Sequence, residues 1–276
     1  MPLAGHIARV PWSLEDKRRA AVLAPTGGGM LRADTRVVER PGWYQVVTPS
    51  APGSMLNEIV LSDVGAEDAE RVIEEAVATY AAIHRPAKWC VGPWTRPDDF
   101  GERLSRRGFR SWEVRGMGAS TTLDVGRPAD VDVRAIEAPE LDRFVALSME
   151  GWAMSADQLV VERATHLAAL AQIPRVAWFF AATMGEDWVG TAGVLLRDGY
   201  AYLVGAQALA RARGKGVYRA LVAARLAFLR EHGVPYAVTH ARESTSAPLL
   251  AHLGFETLFR SKCFLLDAPL ERRSEG

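Results

Sequence analysis

Residues 211–216 read Arg-Ala-Arg-Gly-Lys-Gly and stand between a strand-like run ending near residue 208 and a helix-patterned run starting at 216. Arg211, Arg213 and Lys215 put three cations within five residues, and Gly214 and Gly216 remove side chains that would keep a ligand off the backbone. The N–H groups and the positive dipole end of a helix start attract anions. Such a loop suits a diphosphate. A P-loop would place Lys and then Ser or Thr after the last glycine, where this chain has Val217 and Tyr218; a dinucleotide fingerprint would need a third glycine at Arg219. The plainer alternative is a basic helix start after a glycine turn.

The loop needs a strand before it and a helix after it, and the patterning supplies both. Val217, Leu221, Ala224 and Phe228 recur at helical spacing, Arg219 and Arg230 face the other way, and Gly233 ends the helix over 216–231. Upstream, 175–183, 188–196 and 200–208 are apolar or alternating runs of strand length, the first two joined by a turn at 184–187. Residues 131–136 read as a strand, and 140–149 and 157–171 as helices bounded by Pro139 and Pro174. A strand over 235–241, a short helix over 247–252 and a strand over 261–267 follow. Gly27, Gly28 and Gly29 read as a hairpin turn. The class is α+β.

The same order of elements occurs twice. Shifted by 146 positions, residues 89–109 fall on 235–255: Arg96 meets Arg242, Leu104 meets Leu250, and Gly108-Phe109 meets Gly254-Phe255. The strand-like 42–49 falls on 188–195 at the same offset. This predicts a duplicated fold joined near 124–128, with domains 1–126 and 127–276. The copies differ where the chemistry would be, because Arg211, Arg213, Gly214 and Gly216 correspond to Gly65, Glu67, Asp68 and Glu70. Acids there repel a diphosphate, and they also stabilise a helix N-terminus in their own right.

Composition narrows the partners. The 276 residues carry 33 basic and 33 acidic side chains, which argues against nucleic acid, whose binders carry a basic excess. A hydrophobic fraction of 49% and a charged fraction of 24% are those of a globular protein rather than a disordered one. Cys90 and Cys263 are far apart in sequence and fit no metal-ligand or redox spacing, so they read as buried, inert thiols in a reducing compartment, with a structural disulfide as the lesser alternative. No apolar run is long enough for a signal peptide or a membrane span, which predicts a soluble cytoplasmic protein without a metal or membrane partner.

The loop resembles the hallmark of the GNAT superfamily of N-acetyltransferases, Gln/Arg-x-x-Gly-x-Gly/Ala, matched by Arg211, Gly214 and Gly216. That family's later Leu-Gly-Phe is matched by Leu253-Gly254-Phe255. The resemblance spans residues 130–267 and, more faintly, 32–124. It implies two tandem GNAT-like domains, each a twisted, mixed, mostly antiparallel sheet flanked by helices; Glu67, Asp68 and Glu70 at the diphosphate position predict that the first is degenerate and catalytically dead. It implies acetyl-CoA as acyl donor, without a metal, and direct acetyl transfer to a primary amine on a small molecule or a peptide N-terminus. By the same resemblance, main-chain amides of Arg211, Ala212, Arg213, Gly214, Lys215, Gly216 and Val217 would hold the pyrophosphate. Val204, Gly205, Ala206 and Gln207 would bond the pantetheine arm, in a cleft opened beside the strand at 235–241. The family's cofactor-contacting Asn falls on Ser244, and its thiolate-protonating Tyr on Leu250.

With no Tyr at 250, the proton-handling candidates are His240, Glu243 and Tyr202. Imidazole is the side chain whose ordinary titration lies nearest neutrality. Each has a structural alternative: His240 as a strand-end residue, Glu243 as a solvated loop charge, Tyr202 as packing between strands. Tyr218 reads as part of the helix stripe. Glu150 and Trp152, with Met149 and Met154, form an aromatic and sulfur-rich patch suited to a cationic amine, although Trp152 could instead be core. Trp89 and Trp94 read as core or interdomain contacts. A non-catalytic acyl-CoA sensor or partner-binding module is the rival class, and transfer from another thioester a third reading. A homodimer is compatible with all three.

Overall fold

The computed structural model describes residues 12–26, 30–152 and 156–267, so the expectations for Gly27 to Gly29 and for Met154 lie outside it. The chain forms two compact units. The larger comprises the described residues up to Met30, Gly116–Ala241 and Thr245–Leu258; the smaller comprises Leu31–Arg115, Arg242–Ser244 and residues 259–267. Among the described residues no helix is long and apolar enough to cross a membrane.

The larger unit opens with α1 (Leu14–Leu23), started by a reciprocal capping box between Ser13 and Asp16. Then come β6 (Asp132–Ala135), α4 (Leu141–Trp152), α5 (Ala156–Ala171), β7 (Ala177–Met184), β8 (Asp187–Leu196), β9 (Ala201–Ala208), α6 (Val217–Glu231), β10 (Tyr236–Arg242) and α7 (Ser246–His252). In its sheet β6, β7, β8 and β9 run antiparallel in sequence order, and β10 lies parallel to β9. Helix α6 buries Val217, Leu221 and Leu226 on one face of the sheet. Phe144 and Leu147 of α4 cover the other, against Phe179 and Leu195.

The smaller unit contains β1 (Arg36–Arg40), β2 (Trp43–Val47), β3 (Glu58–Ser62), α2 (Ala69–Ala82), β4 (Ala87–Val91) and α3 (Phe100–Arg106). Trp89 lies at its core with Trp43, Ile59, Ile73 and Phe100. β5 (Arg110–Ser120) and β11 (Glu256–Leu266) each contribute residues to both units. The 146-residue spacing holds for these late elements: α3 and α7, and β5 and β11, start and end at matching positions.

The expected boundaries, 1–126 and 127–276, are not those of the compact units. In the smaller unit β11, the last strand of the second repeat, lies antiparallel to β4, with Cys263 opposite Cys90. In the larger unit β5, the last strand of the first repeat, neighbours β10, and Thr121 N–H donates to the Pro235 carbonyl at 3.1 Å. The two repeats therefore close each other's sheets. An alternating strand satisfies its backbone groups on any adjacent edge, so residue pattern does not say which repeat it completes. Helix α1 likewise belongs with the second repeat, where Lys17 pairs with Glu256 at 2.6 Å and Arg18 Nε donates to the Leu258 carbonyl at 3.0 Å.

Candidate active site

β9 and β10 are parallel neighbours for a short distance only. They pair at Ala201–Ala237 and Tyr202–Val238, and Thr239 Oγ1 donates to the Leu203 carbonyl at 2.9 Å. Beyond that point β9 continues to Ala208 bound to β8 alone. Its register on β8 passes from Gly193–Val204 to Thr191–Gln207, which leaves one extra residue in β9. Gly205 takes up that bulge with φ +59° and is exposed in mid-strand. A glycine inside a strand pattern is the signal that could have located it. The diverging strands thus present the backbone of Val204, Gly205 and Ala206 along one side of a cleft.

The basic loop follows directly. Leu209 N–H donates to the Val189 carbonyl at 2.9 Å, one tight turn covers Ala210–Ala212, and Gly214 and Gly216 adopt φ +76° and +81°. The first bond of α6 runs from Ala220 N–H to the Gly216 carbonyl, so the amides from Gly216 to Arg219 precede the intrahelical ladder. A Cβ on Gly216 would stand 2.7 Å from Pro128. Ala212 and Val217 bury their side chains and fix the loop from below, while Arg213, Gly214 and Lys215 are exposed. Arg211 is the exception among the cations: it pairs with Glu150 at 2.5 Å and donates to the Trp188 carbonyl at 3.2 Å. A residue expected to hold the donor and one expected to hold the acceptor therefore meet directly.

Gln207 is buried, and its side-chain amide donates to the Leu147 carbonyl and to Thr191 Oγ1 at 3.2 and 3.1 Å. Its Oε1 is buried with no hydrogen-bond partner. Gly151 of α4 lies so close above it that a Cβ there would come within 1.5 Å of that oxygen. One residue on, Trp152 is 55% exposed, which removes the core alternative for it.

Tyr202 and His240 share a face of the sheet, with ring centroids 5.7 Å apart in an edge-on contact. His240 Nε2 lies 2.8 Å from the Ala21 carbonyl in the last turn of α1, so it satisfies a helix-end acceptor. Glu243 is occupied by two arginines. It belongs to the smaller unit, where Arg115 grips its carboxylate with two nitrogens and Arg260 adds a third contact at 2.9 Å. The hydrogen bonds from Arg115, followed by its charge and that of Arg260, hold Glu243 below the usual carboxylate range, which makes it a weak base. Ser244, exposed, falls in the same short segment of the smaller unit. Leu250 is buried at 2% exposure and presents no acid. Tyr218 packs beside the α6 core as expected. Among the described residues no group of three or more His, Cys, Asp or Glu side chains could hold a metal ion.

The corresponding place in the smaller unit is filled by its own chain. β3 and β4 pair in parallel at Glu58–Lys88 and Ile59–Trp89, and the segment after β4 then turns back into the gap. Trp94 Nε1 donates to the Val60 carbonyl at 3.1 Å, and Arg96 N–H donates to the Ser62 carbonyl at 3.0 Å. Val60, 146 positions before Ala206, is 1% exposed. At the start of α2, Glu70 is bound by Arg107 and Arg103 at 2.7 and 3.3 Å. Trp94 thus fills this cleft in its own unit, and its ring meets Phe259 edge-on at 4.9 Å, which makes it also a contact between the two repeats.

This architecture is the GNAT fold. A functionally unknown conserved protein from Staphylococcus epidermidis superposes with a TM-score of 0.68 at 11% identity, over 87% of this chain and 96% of that one. A GCN5-related N-acetyltransferase from Kribbella flavida gives 0.67 at 17% identity, over 90% and 94%. A tandem GNAT protein from the clavulanic acid biosynthesis pathway gives 0.53 at 16% identity, over 92% and 88%. No family profile matches the sequence, and no curated protein sequence matches it significantly.

Proposed function

We propose that the chain is an acetyl-CoA-dependent N-acetyltransferase built from two GNAT-like copies, residues 1–126 and 127–276, with one donor site in the second copy. The observation that carries this reading is the parting of β9 from β10 after Tyr202–Val238, with the Gly205 bulge on its edge and the glycine loop of α6 at its end. The exposed backbone of Val204 to Ala206 can exchange hydrogen bonds with the amides of a pantetheine arm. The amides of Gly216 to Arg219, with Arg213 and Lys215 nearby, suit its diphosphate; each hydrogen bond to such a charged group contributes about 1.5–3 kcal/mol. The filled cleft and the carboxylates around the start of α2 favour a first copy without donor binding.

An amine nitrogen attacks the thioester carbonyl carbon, the C–S bond breaks, and the sulfur leaves as a thiolate that takes up a proton. An alkylammonium must lose its proton first. His240 and Tyr202, on the face covered by α4, are the residues we assign to that proton path, and Glu150 and Trp152 at the end of α4 to the rim of the acceptor groove. We place the protein in the cytoplasm, a compartment that contains acetyl-CoA. The buried Leu250 favours one second reading, an acyl-CoA-binding module without turnover.

Incubating the protein with acetyl-CoA and a panel of primary amines and peptide N-termini, while following thiol release and acetylated product by mass, tests the proposal. Product with any amine supports it. Acetyl-CoA binding without product from any amine selects the non-catalytic module, and absence of binding overturns both.

A further inference from the structure

The two cysteines, 173 residues apart in sequence, stand directly opposite one another on β4 and β11 with sulfurs 3.9 Å apart. Both thiols are buried, as expected, but their distance in sequence hides that they are neighbours. They form one cluster with Val114, under Trp112, and each retains only 6% exposure. Directly opposed Cβ atoms in an antiparallel pair lie about 4.5–5.5 Å apart, within roughly an ångström of the separation in a disulfide. Rotation about the Cα–Cβ bonds with a small strand adjustment closes the remainder. Lys88, two positions before Cys90 and on the same face of β4, places an ammonium in this neighbourhood and is itself paired with Glu58 at 2.5 Å. A hydrogen bond from the Cys90 thiol, aided by the Lys88 charge, holds Cys263 below the ordinary thiol range, while Cys90 is pushed up.

We propose that Cys90 and Cys263 are an intramolecular oxidation site, a dithiol that small peroxides convert to a disulfide tying β11 to β4. The Cys263 thiolate attacks one peroxide oxygen, the O–O bond breaks, and the hydroxide released takes a proton to become water. The resulting sulfenic acid is then attacked by the Cys90 sulfur, which has given up its proton, and a second water leaves as the S–S bond forms. Two thiols and one hydrogen peroxide thus give one disulfide and two waters. At 6% exposure each sulfur offers little surface to bulky disulfide reagents, and the partner sulfur 3.9 Å away is at hand to resolve a sulfenic acid, so oxidation stays within the chain. The consequence is mechanical: the strand by which the second repeat closes the sheet of the first becomes covalently fixed.

The test exposes the native full-length protein to a small excess of hydrogen peroxide, then denatures it in N-ethylmaleimide and reads intact mass and a peptide map. The expected result is loss of two hydrogens, no maleimide added, a Cys90 peptide joined to a Cys263 peptide, and a thermal midpoint raised by about 10 °C that dithiothreitol reverses. Cys90→Ala and Cys263→Ala should each lose the midpoint gain; oxygen should collect on Cys263 in the first variant, and little or none on Cys90 in the second. Should either variant fail to fold, the wild-type peptide map alone decides the matter. Two maleimides on the peroxide-treated protein, disulfides between molecules, or oxygen added to both sulfurs without a linked peptide would each overturn the proposal.

Discussion

The indole N–H of Trp94 donates to the Val60 carbonyl at 3.1 Å, at the strand position which, 146 residues later, is Ala206 beside the exposed Gly205. One repeat bonds with its own side chain the backbone that the other leaves to solvent. Trp94→Ala should cost the smaller unit about 2–4 kcal/mol through lost packing and an orphaned carbonyl. It should not create a donor site, because Glu67, Asp68 and Glu70 remain. Urea unfolding and acetyl-CoA titration of the variant check the two parts separately.

Glu150 and Arg211 form an exposed ion pair, with each side chain more than half accessible. Such pairs contribute about 0–1 kcal/mol, so Glu150→Gln should leave the thermal midpoint unchanged. Freed of its carboxylate, Arg211 should hold the diphosphate as well as before or up to about fivefold better. Isothermal titration with acetyl-CoA reads this directly, and a large loss of affinity would show that the carboxylate, not the cation, faces the ligand.

Gly151→Ala sets a Cβ 1.5 Å from Gln207 Oε1. Overpacking of this kind costs about 1–3 kcal/mol. Adding Gln207→Ala should recover part of that loss, since the offending oxygen and its unsatisfied buried dipole disappear together. Thermal midpoints of the two single variants and the double variant measure the coupling; strictly additive losses would contradict the contact.

Burial opposes ionisation of Glu256, yet hydrogen bonds from Lys17 and Tyr236, with the Lys17 charge, outweigh it and lower its carboxyl below the ordinary value of 4.5. A carboxylate depressed in the folded state adds stability above its unfolded pKa, and that stability is lost as pH falls through the folded one. The wild-type thermal midpoint should therefore fall more steeply than that of Glu256→Gln between about pH 5 and 3. Parallel acid limbs would remove Glu256 from the anchoring of α1.

Periodicity and spacing went far in one direction. The helix expected over 216–231 is α6, the strand runs on either side of the loop are β9 and β10, and the 146-residue offset matches α3 to α7 and β5 to β11. These features are local, written in apolar spacing and in glycines at positive φ. What residue patterns could not reveal depends on distant partners. Nothing local to β11 says that it pairs with β4, that α1 ends on His240, or that Glu243 is taken by Arg115. Cys90 and Cys263 look unrelated for the same reason. The Gly205 bulge lies between these cases: its glycine was visible, but the extra residue shows only in the register against β8.

Calorimetric titration of the full-length protein with acetyl-CoA distinguishes one donor site from two in a chain with two copies of the fold. The expected result is a single site per chain, lost in Arg211→Glu and unchanged in Asp68→Gly. Two sites per chain, binding that survives Arg211→Glu, or no binding at high micromolar concentration would contradict it.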